Sequence, residues 1–199
     1  MTALLLATRN AGKKREIADF LSSGAVPLSL LSLVEVDAGG DVDESGKTFA
    51  ENARLKADFY SRFSGLTTLG DDSGLEVQAL GGRPGVRSAR YAGVGASDEA
   101  RIEKLLAEMK DIADRRARFV SAVCISRNGS PLALFMGTVE GEILRQKRGN
   151  GGFGYDPLFL YPPLGKTFAE LPLAEKNKIS HRARALAQVR EFILNAGLG

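Results

Sequence analysis

Asn128-Gly129 separates two apolar runs, residues 118–126 and 131–144, and this arrangement constrains the fold more than any other feature of the chain. Asn and Gly both tolerate positive φ, so a two-residue turn here matches the twist of the flanking strands and joins them antiparallel. Elsewhere strand-like and helix-like patterns alternate, which is the rhythm of strands joined by crossover helices. A sheet that accommodates both is mixed, with helices flanking it, and the expected class is α/β. The length of 199 residues fits one domain spanning 1–199, or one domain with two lobes.

Residues 3–8 form a short apolar run that reads as a buried strand, and 13–22 carry helical spacing at Ile17, Phe20 and Leu21. Residues 26–36 read as a strand followed by a turn, and 37–47 as an acidic loop. Thr48 opens a helix through a capping box with Glu51; Phe49, Ala53, Leu55, Phe59 and Phe63 carry it to about Ser64. A short strand at 67–70 is expected to end in a turn at Asp71-Asp72-Ser73-Gly74, followed by a Gly- and Arg-rich loop at 79–95. Ser97 caps a helix whose stripe is Ile102, Leu105, Leu106, Met109 and Ile112. A second Gly-rich loop at 149–157 precedes a short strand at 158–161, closed by Pro162-Pro163. Ser180 caps a last helix with Ala183, Leu186, Val189, Ile193 and Leu194 inward.

Several function classes drop out. No apolar run approaches the ~20 residues of a membrane-spanning helix. Residues 1–6 lack the basic and long apolar regions of a secretory signal, so a cytoplasmic location is expected, with no membrane partner. The single cysteine, Cys124, excludes an internal disulfide, and the single histidine, His181, excludes a multi-histidine zinc site. Net charge is only +3, but residues 35–58 hold seven acids against three bases, while 145–199 hold nine bases against four acids. That division suits a metal ion and a polyanion together, and equally an ordinary charged surface.

Four constellations could carry chemistry. Thr8, Arg9, Asn10, Ala11, Gly12 and Lys13 leave a strand and enter a helix. Backbone N–H groups at a helix start attract phosphate, and Lys13 adds charge, although the string also fits a plain turn capped by Asn10. Asp71-Asp72 places one carboxylate on each side of a strand, so one can face a cleft and hold Mg²⁺ or orient water while the other braces the turn. Asp43, Glu44 and Glu51 are possible co-ligands, with Glu51 already occupied as a capping acid. Residues 149–157 surround Phe153 and Tyr155 with four glycines. Such a loop presents a ring on which a base stacks for roughly 1–3 kcal/mol, or tucks that ring into the core. Finally, Lys176, Lys178, His181 and Arg182 gather near the last helix's start, where cations oppose the macrodipole unless an anion or a base carbonyl joins them.

Taken together these strings resemble one family, the inosine/xanthosine triphosphate pyrophosphatases. The similarity runs nearly end to end: TRNAGKKRE at 8–16, TFAENARLKA at 48–57, DDSGL at 71–75, GGRPGVRSARYAG at 81–93, GGFGYDP at 151–157 and ISHR at 179–182. The resemblance implies an elongated, twisted mixed sheet with flanking helices and two lobes around a central cleft. It implies Mg²⁺-dependent hydrolysis of ITP, dITP or XTP to the monophosphate and pyrophosphate, and a homodimer. Carried over by position, Thr8 to Lys13 would grip the triphosphate, and Asp72 would be general base and metal ligand. Ser73, Phe153, Gly154, Tyr155, Asp156, Lys176, His181 and Arg182 would hold the nucleotide. The family often has Glu where this chain has Asp43 near the metal; the shorter side chain would act through water, or Glu44 or Glu51 would compensate. The competing class is a non-enzymatic nucleotide or nucleic-acid binder using the 83–90 arginines and the basic C-terminal segment. The acid cluster beside those turns would repel a nucleic-acid backbone, so no nucleic-acid partner is expected.

Overall fold

The computed structural model describes residues 2–23, 28–38, 40 and 42–196. Seven strands form one open, mixed sheet in the order β2-β1-β3-β4-β5-β6-β7. They are β1 (Thr2–Ala7), β2 (Leu28–Ser32), β3 (Thr67–Val77), β4 (Arg116–Arg127), β5 (Ser130–Ile143), β6 (Phe159–Tyr161) and β7 (Lys166–Thr167). The helices are α1 (Ala11–Ser22), α2 (Phe49–Ser64), α3 (Asp98–Glu108), α4 (Leu173–Ile179) and α5 (His181–Asn195). β1 runs parallel to both β2 and β3, whereas β6 is antiparallel to β5 and β7. The β4–β5 turn has Asn128 at φ 51° and Gly129 at φ 76°, the left-handed pair that a two-residue hairpin demands. No helix among the described residues is long and apolar enough to cross a membrane.

The chain divides into two compact units: Met1–Asp72 with Ser121–Gly137 and His181–Gly199, and Ser73–Val120 with Thr138–Ser180. In the first unit the two-residue period of β1 sorts the core. Leu4 and Leu6 pack with Ile17 and Leu21 of α1 and Leu186, Val189 and Ile193 of α5. Leu5 and Ala7, on the other face, pack with Leu33, Ala38 and Tyr60 of α2. In the second unit Ile102 and Leu105 of α3, with Met109 just beyond its end, close on Leu75, Val77, Phe119, Phe159 and Phe168.

The structure departs from the expectations in five places. β3 does not stop at Gly70; it continues through Asp71-Asp72-Ser73-Gly74 to Val77, because buried cations balance the two carboxylates and Gly74 adopts no left-handed φ. The inward face of α2 is Phe49, Asn52, Ala53, Lys56, Ala57 and Tyr60, and it leaves Leu55, Phe59 and Phe63 exposed. The 79–95 loop contains 3-10 turns at Gln78–Leu80 and Gly85–Arg90. Residues 173–179 form a separate short helix, so Lys176 belongs to α4 and not to the entry of α5. Leu194, expected to face inward on α5, is exposed. The stretch at 26–36 is, as expected, a strand, Leu28–Ser32, followed by turns, and residues 26–27 lie outside the described residues.

Candidate active site

The parallel register of β1 on β3 pairs Ala7 with Gly70, so the chain leaving β1 at Thr8 runs beside Asp71 and Asp72. The Asn10 side chain caps α1 by accepting the Lys13 N–H at 2.9 Å, and Thr8 Oγ1 accepts the Asn10 N–H at 3.2 Å. Arg9, Asn10 and Ala11 are exposed and Gly12 half-buried, so this helix start is open to solvent. Arg9 donates to the carbonyls of Ala38 and Gly40, tying down the segment after β2.

Lys13 reaches inward. Its Nζ is 2.8 Å from Asp71 Oδ2 and 3.9 Å from Asp72 Oδ1. Asp71 is buried and also accepts from Arg182 Nε and from Ser121 Oγ, at 3.3 and 2.9 Å. Arg182, 1% exposed, forms a second buried ion pair with Glu16 of α1. Burial alone would raise the Asp71 pKa, but Arg182 and Lys13 outweigh it and hold the carboxyl well below the usual range. Asp72 behaves oppositely. Burial raises its pKa, against the lowering pull of Lys13 and Lys56, with Glu44 and Asp71 adding to the rise. Two adjacent carboxylates with pKa values pushed apart can divide the work, one as a fixed charge and one as a proton acceptor.

α2 contacts Asp72 through two polar residues on its buried face, one turn apart. Asn52 Nδ2 donates to Asp72 Oδ2 at 3.1 Å, and Lys56 Nζ lies 3.5 Å from Oδ1. Lys56 also meets Glu44 at 3.1 Å, and burial's lowering effect on it is outweighed by Asp72 and Glu44, so its pKa is raised. Gly70 makes this approach possible, because a Cβ there would overlap the Ala53 carbonyl oxygen and crowd the Ala57 nitrogen. Among the three acids considered for a metal, Glu44 is linked to Asp72 through Lys56. Asp43 is exposed, and Glu51 accepts the Lys47 and Thr48 N–H groups in the capping box. No group of three or more His, Cys, Asp or Glu side chains among the described residues could hold a metal by itself. Asp72 and Glu44, which both meet the Lys56 ammonium, are nonetheless oxygen donors of the kind a hard divalent cation takes, with water and substrate phosphate completing its shell.

The second unit carries the Gly-rich loop. Gly149, Gly152 and Gly154 hold left-handed φ values of 80°, 70° and 60°, which side chains rarely adopt. The Phe153 N–H donates to Asp156 Oδ2 at 2.9 Å, and Asp156 forms a buried ion pair with Lys176. The Lys176 ammonium stands 5.0 Å over the Phe153 ring and 5.4 Å over Phe168, so the half-buried Phe153 ring has one face on a cation. Tyr155 turns into the core and donates to the Ser88 carbonyl at 3.0 Å. Ser73, half-buried in β3, also belongs to this unit, whereas buried His181 and Arg182 begin α5 in the first.

Sequence reasoning overlooked Glu16, Asn52, Lys56 and Ser121, which contact Asp71, Asp72 or Arg182. A signal for two of them exists: Asn52 and Lys56 fall in register with Phe49, Ala53 and Tyr60, and polar residues on a helix's inward stripe require partners. The family model described as the Ham1 family matches residues 4–192. A dITP/XTP pyrophosphatase of Geobacter sulfurreducens is 49% identical over 97% of both chains. One of Syntrophobacter fumaroxidans is 50% identical over 95% of this chain and 81% of its own. The structure of a HAM1 protein from Coxiella burnetii superposes with a TM-score of 0.88 at 40% identity, covering 98% of this chain and all of that one. The Staphylococcus aureus Ham1 protein gives 0.86 at 41%, with the same coverage. A match over nearly the whole length in sequence, joined to the same fold in solved structures, establishes that this chain belongs to the Ham1 family.

Proposed function

We propose that the protein hydrolyses non-standard purine nucleoside triphosphates, dITP, ITP and XTP, to the monophosphate and pyrophosphate. One observation carries this reading: Lys13, on the first turn of an open helix N-terminus, lies 3.9 Å from a carboxylate, Asp72, whose buried neighbours hold it in place. Helix-start N–H groups and an ammonium suit phosphate, and a fixed carboxylate suits the attacking water. A non-enzymatic binder has no use for such a buried carboxylate. The names of the relatives supply the substrate class.

In this reading Thr8 to Lys13 hold the β and γ phosphates, which depart as pyrophosphate. Asp72 accepts the proton of a water that attacks the α phosphorus; the new P–O bond forms as the α–β bridging bond breaks, and the electron pair leaves with pyrophosphate. Asp72 and Glu44 are the carboxylates that would hold a divalent ion, assigned here as Mg²⁺, with exposed Asp43 acting through water. That ion would supply charge neutralisation at the phosphate oxygens. Phe153 offers its ring to the purine, while Asp156 and Lys176 fix the loop that carries it; Ser73, Gly154 and His181 complete the assigned nucleotide-holding set, to which Tyr155 and Arg182 contribute from the buried side, Tyr155 through the Ser88 carbonyl and Arg182 through Asp71 and Glu16. The enzyme is further assigned to the cytoplasm and to a homodimer, for which sedimentation equilibrium is the direct check.

The test is a panel of dITP, XTP, dGTP and dATP with and without a chelator, scoring orthophosphate before and after adding inorganic pyrophosphatase. Metal-dependent release seen only after that addition, with dITP and XTP preferred, is the expected result. Direct release of orthophosphate would overturn the bond assignment, and no turnover of any triphosphate would overturn the function.

A further inference from the structure

The two backbone amides that bracket Phe153 are both held by carboxylates, and one of them comes from far away in sequence. The Phe153 N–H donates to Asp156, three residues on. The Gly154 N–H donates to Asp98 Oδ2 at 2.6 Å, across 56 positions. These N–H groups belong to the peptide planes before and after the Phe153 Cα. Peptide planes are rigid, so pinning both leaves φ and ψ of Phe153 almost no freedom, and the Cα–Cβ direction follows. Asp98 is not needed to cap its own helix, since Ser97 performs that task by accepting the Ala100 N–H. Arg101 holds the other oxygen of Asp98 and is itself anchored on the Ala89 carbonyl at 2.7 Å. The neighbouring residue Glu99 pairs with Lys147 at 2.6 Å, so α3 grips the loop region at two points. That second pair is half-exposed and contributes little.

We propose that Asp98 is a positioning residue for base recognition: through the Gly154 amide it sets the direction in which the Phe153 ring is presented. The role in recognition rests on the function proposed above, whereas the clamp itself does not. Asp98 touches no reacting atom, so its loss changes how well the nucleotide is held more than how fast it is cleaved.

The experiment compares Asp98→Ala with Asp98→Asn, which keeps an acceptor oxygen. In the free protein, hydrogen exchange at the Gly154 amide is expected to rise about 10- to 100-fold in Asp98→Ala, the scale of one charge-assisted hydrogen bond, and by clearly less in Asp98→Asn, whose neutral oxygen still accepts. Because the chain has no tryptophan, Phe153→Trp supplies a single reporter, and its anisotropy should fall when Asp98→Ala is added. With dITP, Asp98→Ala should raise KM about tenfold with kcat within about twofold, and inhibition by inorganic tripolyphosphate should be unchanged. Unchanged exchange and anisotropy in Asp98→Ala would overturn the clamp. A changed clamp with unchanged KM, or an equal loss in kcat, would overturn the positioning role. If Asp98→Ala fails to fold, Asp98→Glu decides, since moving the carboxylate by one methylene must disturb exchange and KM together or the proposal fails. A wild-type protein that turns over no triphosphate refutes the function while the exchange and anisotropy results still judge the clamp.

Discussion

Asn52 stands between the acidic loop and Asp72. Its Nδ2 donates to Asp72 Oδ2 at 3.1 Å, while its Oδ1 accepts the Gly46 N–H at 2.8 Å. The side chain is wholly buried, so one amide fixes the rotation of the carboxylate and the path of the segment that contains Glu44.

Asn52→Ala therefore leaves a buried carboxylate oxygen and a backbone N–H short of their partner. Unsatisfied groups of this kind cost about 1–3 kcal/mol each. The expected outcome is a lower urea midpoint with an unchanged slope, together with reduced turnover of dITP. Full turnover at reduced stability would confine Asn52 to a structural part.

Asp71 and Asp72 should respond in opposite ways to removal of charge. Asp72→Asn should fold at least as well as the parent, since its raised pKa means that burial disfavours the ionised form. Its turnover should fall by the ~10²–10⁴-fold typical of a lost general base. Asp71→Asn breaks buried pairs with Arg182 and Lys13 and should cost about 3–5 kcal/mol. The pH dependence has a definite sign. With its folded pKa depressed, Asp71 contributes stability above the ordinary value of 3.8 that is lost as pH falls below it. Acid titration of stability should accordingly be shallower in Asp71→Asn than in wild type.

The parts of this fold that were legible in the sequence are those decided by near neighbours. The left-handed turn at Asn128 and Gly129, the capping box of Thr48 and Glu51, and the Ser97 cap each depend on residues within a few positions. Asp71-Asp72-Ser73-Gly74 misled for the converse reason. Four polar or small residues read as a turn, and what holds them in a strand arrives from Lys13, Ser121 and Arg182. The same holds for α2, where Leu55, Phe59 and Phe63 kept a helical period but face outward. Asn52 and Lys56 took the inward positions because Asp72 is there to receive them. Asp98 carries no signal of its contact in the sequence, because Gly154, its partner, lies on another element.

Gly70 is the position where packing and chemistry meet. A methyl group there would strike backbone atoms of Ala53 and Ala57, which cannot swing aside as a side chain could. Overpacking of this kind costs typically about 1–3 kcal/mol. Gly70→Ala should lower the thermal midpoint and, by moving α2, reduce turnover although no polar group has been removed. Wild-type kcat/KM in a destabilised Gly70→Ala protein would show that α2 tolerates displacement.

Lys13→Ala separates phosphate binding from the buried network. Its side chain is 13% exposed at the open start of α1, with the ammonium 2.8 Å from Asp71. Affinity for a triphosphate should fall far more than affinity for the corresponding monophosphate, as read by competition calorimetry. Equal losses for the two ligands would assign Lys13 to holding Asp71 alone.

Arg182 tests whether a residue named for base recognition acts on the base at all. Its guanidinium is buried, with Nη1 on Glu16 and Nε on Asp71, and its pKa is raised because those two carboxylates outweigh the cost of burial. Arg182→Ala strands both acids beside Lys13 and should cost about 3–5 kcal/mol of stability. Arg182→Lys should recover only part of it, because a single ammonium cannot reproduce the two-directional fork. Since the guanidinium acts through Asp71 and Glu16, the losses in kcat/KM for dITP and dATP should be similar, leaving their ratio within about threefold of wild type; a 1.4 kcal/mol change in discrimination would move that ratio about tenfold. A ratio that collapses toward unity would place the guanidinium on the purine, and would mean that nucleotide binding pulls Arg182 away from its carboxylates.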